Sequence, residues 1–271
     1  LYEATTRFVR EKYRGGGSLR LIARTLQAEA GSSAAALRAT LESMRLREIH
    51  RGPALDELCD LAAAVSSAAK ADALLQVLRE CPDKMLVFTQ YRETQRLLLE
   101  ILEQCGIPSA RFSGELSAAD KDEQVAAFAR DRKVLVSTDV GSEGRNLQFC
   151  HTIVNYDLPW NPMKIEQRVG RVHRIGQTEP VRIFNLAARD TVEDYILEVL
   201  DEKINMFELV VGEVGEILGN LEDEREFEDI VLDLWTKAES AESARASFGR
   251  LGEALVEARG RYSAAKAYDD A

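Results

Sequence analysis

The sequence has only four cysteines, at positions 59, 81, 105 and 150, and no C-x-x-C pair among them. Their wide, irregular spacing fits neither the ligand sets of structural zinc nor a disulfide framework. The expectation is reduced thiols in a cytoplasmic protein, without metal ligands of its own. No uninterrupted apolar run approaches the ~18 residues that a membrane-spanning helix needs. No signal peptide stands at the start, so a membrane partner is not expected. There is no internal repeat and no low-complexity linker. Two short motifs are also missing. No G-x-x-x-x-G-K-[ST] occurs, so the chain offers no P-loop lysine and no adjacent Mg²⁺-binding hydroxyl. No Asp-Glu-x-His box occurs either. The four Asp-Glu pairs begin at Asp56, Asp122, Asp201 and Asp223, and none follows a β-like run. Residue 1 is Leu, inside a helix-like stretch (LYEATTRFVREKY), which reads as a piece of a longer protein.

What is present is 271 residues with 45% hydrophobic and 30% charged side chains, an ordinary globular composition. The net charge of −11 is unevenly spread. Between Glu193 and Glu239 there are 16 acidic residues against Lys203, Arg225 and Lys237, a local charge of −13 that leaves +2 for the rest. A basic stretch, Arg168, Arg171 and Arg174, falls within seven residues. The charge distribution therefore permits a nucleic-acid surface on the middle of the chain.

Hydrophobic periodicity divides the chain into three parts. Residues 1–80 read as helices, with Leu19–Glu29, Ala34–Ile49 and Leu55–Leu78 in helical apolar spacing. Gly15-Gly16-Gly17 and Gly52-Pro53 break them. Residues 81–190 alternate β-rich runs with amphipathic segments. The predicted strands are Met85–Thr89, Ala110–Phe112, Val134–Thr138, Thr152–Tyr156 and Val181–Leu186. The predicted helices lie near Glu93–Cys105, Ser117–Phe128 and Met163–Val172. Runs apolar on both faces, separated by helices, imply an α/β fold, a parallel sheet covered on both sides. Residues 191–271 read as helical again, with Asp190 or Thr191 as the first cap.

The segment QRVGRVHRIGQ, Gln167–Gln177, holds the densest chemistry. On a continuous helix Arg171 and Arg174 share one face, with Gln167 a turn earlier and Gly170 allowing close backbone approach. Two guanidiniums side by side can grip phosphate oxygens and stay charged at any working pH. In phosphoryl transfer such groups neutralise charge developing on the transferred phosphoryl. Val134–Thr138 is a buried run whose following loop, with Gly141 and Gly144, leaves backbone N–H groups for phosphate. Thr89 and Gln90, and Ser113 and Gly114, end two other strands, where polar side chains would be exposed at the same edge, either as plain polar strand ends or as small groups able to position a duplex without reading its sequence. Trp160 is held between Pro159 and Pro162, either as a packing anchor or beside nucleic acid.

The order Q-x-x-G-R-x-x-R resembles motif VI of superfamily 2 helicases, and its extension HRIGQ, His173–Gln177, is similar to the Swi/Snf family. VFTQY (Val87–Tyr91), SGELS (Ser113–Ser117), VLVSTDVGSEGRNLQ (Val134–Gln148) and DLPWNP (Asp157–Pro162) resemble the family's other second-lobe motifs in the family's order. Glu143 departs from the commonest Swi/Snf pattern. The bacterial and archaeal members, including RNA-polymerase-associated ones, look most similar.

The resemblance implies a C-terminal RecA-like lobe of a DNA-dependent ATPase, with residues 1–80 as the joining segment and 191–271 as brace helices. It implies catalytic roles for Arg171, Arg174 and Gln167. Nucleotide contacts fall to Gly144, Asn146, Gly170, Arg171 and Arg174. Contacts to the DNA backbone fall to Thr89, Gln90, Ser113, Gly114, Ser137 and Thr138, with Trp160 and Asn161 near the DNA. ATP and Mg²⁺ would be shared with a first lobe that carries the P-loop, so the fragment alone is expected to be inactive. Implied partners are double-stranded DNA, that N-terminal RecA-like lobe, and RNA polymerase or another DNA-bound protein, in a nucleoid-associated setting. An RNA-directed superfamily 2 lobe and a non-enzymatic binding scaffold are the competing readings.

Overall fold

The computed structural model describes residues 1–271 except 13–17, 50–51, 66–68, 140–146, 174–178, 204, 207–212, 224 and 270–271. A five-stranded, wholly parallel sheet runs through its middle: β1 (Met85–Thr89), β2 (Ser109–Phe112), β3 (Val134–Thr138), β4 (Thr152–Asn155) and β5 (Arg182–Asn185). Their order is β2-β3-β1-β4-β5. The sequence dictates who stands inside. Every residue of β1, β3 and β4 is buried, whereas β2 and β5 alternate or stay half-exposed and take the two edges. The expected strands are all present, with ends moved by one residue at most.

The strands' two-residue period divides the apolar side chains between two layers. Met85, Val87, Val134, Val136 and Val154 face α5 (Ala69–Glu80) and α6 (Arg92–Gln104) through Leu74, Leu78, Leu98 and Leu102. Leu86, Phe88, Leu135 and Ile153 face the other way, onto Phe128 of α7 (Ala118–Arg130) and Val172. α5 therefore belongs to the sheet, and the α/β layer begins at about residue 69, ahead of the expected 81. The 28-residue stretch Pro53–Glu80 resembles a membrane span by length and composition. It is, however, two helices, α4 (Pro53–Ala64) and α5, whose apolar faces enter different cores.

A second core joins the two ends of the chain. α1 (Tyr2–Lys12), α2 (Ser18–Ser32), α3 (Ala34–Leu46) and α4 pack with α9 (Val192–Glu198), α10 (Glu213–Gly219), α11 (Phe227–Lys237) and α12 (Ala241–Asp269). Tyr195 stacks on Phe248 at 5.3 Å, and Arg10 of α1 donates to the Trp235 carbonyl of α11 at 3.0 Å. Leu158, Trp160 and Ile165 reach into this core from the stretch after β4 and from α8 (Pro162–Val169), fastening it to the sheet layer. Thr191 has the extended backbone of a cap, but its hydroxyl donates to Ala188 O, and the Asp194 carboxylate accepts from Asp190 N–H instead. Only the return half of a capping box forms, and it reaches one residue further back than expected.

Glu29 of α2 lies buried in this body, with Oε1 accepting from Thr40 at 2.8 Å and Oε2 without a hydrogen bond among the described residues. Burial lifts its pKa from the ordinary carboxylate range to about 7. A carboxyl group raised in the folded state binds protons more tightly there than when unfolded. Its contribution is therefore present at low pH and lost as pH rises toward 7. Glu29→Gln is expected to be nearly neutral at pH 5 and stabilising by about 1–2 kcal/mol at pH 8. Thermal melts of the two proteins at both pH values check this.

Candidate nucleotide and nucleic-acid edge

All five strands are parallel, so their carboxyl ends share one edge. The order β2-β3-β1 sets Ser113 and Gly114, Ser137 and Thr138, and Thr89 and Gln90 side by side, with Thr89 in register with Thr138 and Phe112 with Ser137. Three separate sequence motifs thus converge. The connection from β1 leaves toward β2 and that from β4 toward β5, so the chain reverses direction between β1 and β4. Such a switch point opens a crevice at the carboxyl edge.

The convergence does not put every side chain at the surface. Gln90 is half-buried and Gly114 exposed, but Thr89, Ser113, Ser137 and Thr138 are buried. The expected exposure of Thr89 is corrected for a specific reason: its hydroxyl donates to Asp157, a carboxylate with 0% exposure. The same Asp157 oxygen, Oδ2, accepts from Gln90 N–H at 2.9 Å. Ser113 Oγ is buried without a hydrogen bond among the described residues.

The motif around the arginines is also reshaped. Asn161 caps α8, its Oδ1 accepting from Met163 N–H at 3.0 Å and its Nδ2 donating to Glu228 at 3.4 Å. Pro162 follows at the first helical position, where a missing N–H costs nothing. Trp160 is 4% exposed among helical-core residues, which supports packing over stacking on a base. α8 ends at Val169, three residues before its expected end. Arg171 and Val172 then donate to the carbonyls of Arg168 and Val169, three residues back, in a tightened last turn. Gln167, exposed, is on the helix, while partly exposed Arg171 stands in the turn beyond it. Gln167 and Arg171 therefore do not lie on one continuous helix. Gly170 caps the helix at φ −60°, an ordinary conformation for any residue. Arg174, Gly144, Asn146 and Glu143 lie outside the described residues.

Sequence reasoning missed the charged groups that hold this edge together. Arg168 is buried, with Nε donating to Asp139 at 2.7 Å and Nη1 to Asn155 Oδ1 at 3.0 Å and to the Asp157 carbonyl at 2.6 Å. It ties α8 to the ends of β3 and β4 and lies over the Phe88 ring at 5.1 Å. Lys70 of α5 donates to Glu193 of α9 at 2.8 Å and to Gly31 O of α2 at 2.9 Å, and lies 3.9 Å from Asp157 Oδ1. Glu193 is fully enclosed, and burial raises its pKa to about 7 against the pull of Lys70. One signal was available in the sequence: Arg168 belongs to the basic stretch and Asp157 opens DLPWNP. Lys70 and Glu193 carry no such mark.

A wholly parallel sheet in the order β2-β3-β1-β4-β5, covered by helices, is consistent with a RecA-like α/β fold. Residues 69–176 match the family model described as helicase conserved C-terminal domain. The chain is 43% identical over 203 residues to the uncharacterized ATP-dependent helicase YqhH of Bacillus subtilis, a match covering 73% of this chain and 36% of that protein. It is 36% identical over 138 residues to the RNA polymerase-associated protein RapA of Vibrio campbellii, covering 49% of this chain and 14% of that protein. The match thus spans 36% and 14% of the lengths of these two relatives. The Sulfolobus solfataricus SWI2/SNF2 ATPase core in complex with dsDNA shares the fold, with a TM-score of 0.51 at 22% identity over 76% of this chain and 42% of that one. These likenesses support reading residues 69–176 and their flanking helices as a C-terminal lobe of the Swi/Snf-type superfamily 2 helicases.

Proposed function

We propose that this chain is the second motor lobe of an ATP-driven translocase on double-stranded DNA. Its strand-end row grips one phosphate backbone, and Arg171, with Arg174, reaches nucleotide held by a first lobe elsewhere in the longer protein. The observation that carries this reading is the strand order, which brings Gln90, Gly114 and Thr138 from three motifs onto one edge beside the turn of Arg171. Neutral polar groups and backbone amides in such a row suit a duplex held by shape rather than by sequence.

The donor set fits half of a nucleotide site. Arg171 suits a phosphate oxygen. The nearby carboxylates are engaged, Asp139 with Arg168 and Asp157 with Thr89 and Gln90. Bound ATP with Mg²⁺ would supply the phosphoryl group and its charge neutralisation, with the metal's acidic ligands coming from the first lobe. This chain's part would be to cover the γ-phosphate and to carry DNA as the cleft closes. The similarity to the RNA polymerase-associated protein RapA supports a DNA-bound protein such as RNA polymerase as partner.

The test is ATP hydrolysis in Mg²⁺ by this chain alone and by the full-length protein, each with and without duplex DNA. The chain alone is expected to stay at background, and the full-length protein to be stimulated by duplex DNA more than by single-stranded RNA. DNA-stimulated turnover by the isolated chain would overturn the division between lobes. Stronger stimulation by RNA would move the substrate class.

A further inference from the structure

β1 and β4 part company at the switch point. The Phe88 carbonyl accepts from Tyr156 N–H at 2.9 Å and from Asp157 N–H at 3.4 Å. Beyond this, the two strands diverge, and Gln90 N–H finds its acceptor in the Asp157 side chain rather than in the ladder. One carboxylate oxygen takes both that N–H and the Thr89 hydroxyl, so two consecutive residues of the turn are held by a single atom. The other oxygen, Oδ1, has no hydrogen bond among the described residues and faces Lys70 at 3.9 Å. A full charge sealed from water is an expensive way to close a turn, since a neutral acceptor would do so at lower desolvation cost. What the charge adds is stiffness, because hydrogen bonds to an ionised acceptor are shorter and stronger.

The pairing extends past the turn. Lys70 joins Asp157 to Glu193 and to the carbonyl of Gly31, at the end of α2. The next two residues, Ser32 and Ser33, each share a 2.7 Å hydrogen bond with Thr94 in the first turn of α6, which follows Gln90 and Tyr91 directly. The helical body is therefore pinned to both sides of the β1–α6 turn.

We infer that Asp157 is a positioning residue that sets the Thr89–Gln90 turn against a phosphodiester backbone, and that Lys70 couples this setting to the helical body. The inference rests on the proposed role of the edge in DNA binding. Asp157 touches no nucleic acid itself and acts through the Gln90 backbone.

The test uses the full-length protein and its duplex-DNA-stimulated ATPase. Asp157→Asn keeps the shape but replaces one acceptor oxygen with a donor. The DNA concentration for half-maximal stimulation is expected to rise about tenfold, the loss of one charge-assisted hydrogen bond, with the rate at saturating DNA changed less than about twofold. Gln90→Ala is expected to weaken DNA binding in the wild-type background and to add little in the Asp157→Asn background, a non-additivity that a merely structural aspartate would not produce. Thr89→Val, which removes one donor, is expected to shift the DNA midpoint in the same direction, and Thr89→Ser to restore it. Should Asp157→Asn fail to fold, the Val and Ser variants decide, and equal midpoints for the two would overturn the inference. So would a normal DNA midpoint in Asp157→Asn, or a fall in maximal rate at an unchanged midpoint. A wild-type protein that duplex DNA does not stimulate would remove the DNA reading and this inference together, whereas stimulated wild type with a normal variant removes only the positioning role.

Discussion

Arg171→Ala in the full-length protein is expected to reduce DNA-stimulated ATP turnover by about 10³-fold, the scale on which phosphoryl-transfer enzymes depend on one arginine finger. The geometry makes this a clean substitution. Arg171 stands past the end of α8, partly exposed, and its backbone bond to the Arg168 carbonyl survives in alanine. The buried neighbour Arg168 holds the helix to β3 and β4, so the turn keeps its place when the Arg171 side chain is removed. Loss of turnover should therefore come without loss of fold and with duplex-DNA affinity retained. Arg171→Lys is expected to recover only a small part, since an ammonium keeps the charge but not the planar fork. Arg168→Ala should behave differently. It strips donors from Asp139 and Asn155 and should lower the melting temperature along with activity. Turnover close to wild type in Arg171→Ala would take Arg171 out of the nucleotide site.

The contrast between Arg168 and Arg171 shows what the amino-acid sequence discloses and what it withholds. Both lie in one basic stretch three residues apart, and only the fold tells that one is a buried strut and the other a partly exposed group. The five strands were legible because β-rich runs apolar on both faces have few other homes than a covered parallel sheet. The row of strand ends was legible through the family's motif order. The end of α8 was not, because QRVGRVHR has no helix breaker except Gly170, and the tightening of the last turn depends on where Arg168 is anchored. α5 was read with the N-terminal helices because Ala71, Leu74 and Leu78 have the same spacing as any amphipathic helix. Periodicity says that a face is buried, not which core receives it. The shared core of the two chain ends escaped for the same reason. The Lys70–Glu193 pair lies 123 residues apart in sequence, beyond the reach of any local pattern.

Lys70→Met is expected to destabilise the protein by about 3–5 kcal/mol, the usual consequence of removing one partner from a buried ion pair. In a chain of this size that corresponds to a fall in melting temperature of roughly 10 °C. The reason is what remains behind. Glu193 would keep its full burial without the ammonium that now offsets it, and Asp157 Oδ1 would face an apolar thioether. The loss should depend on pH with a definite sign. Glu193 already titrates at about 7 in the folded state, raised by burial, so wild-type stability attributable to it falls as pH climbs from the ordinary carboxylate range through 7. Without Lys70 the folded pKa moves higher still, and the extra loss accumulates at the alkaline end. Melts at pH 5 and pH 8 should thus show the smaller deficit at the lower value, where Glu193 holds its proton and only Asp157 loses its counter-charge, and the larger one at the higher. Adding Glu193→Gln to Lys70→Met is expected to restore most of the stability at pH 8, because an amide needs no counter-charge. A deficit that is equal at both pH values and indifferent to Glu193→Gln would mean that Lys70 acts through its packing on Tyr156, over which its ammonium lies at 5.4 Å, and not through the carboxylates.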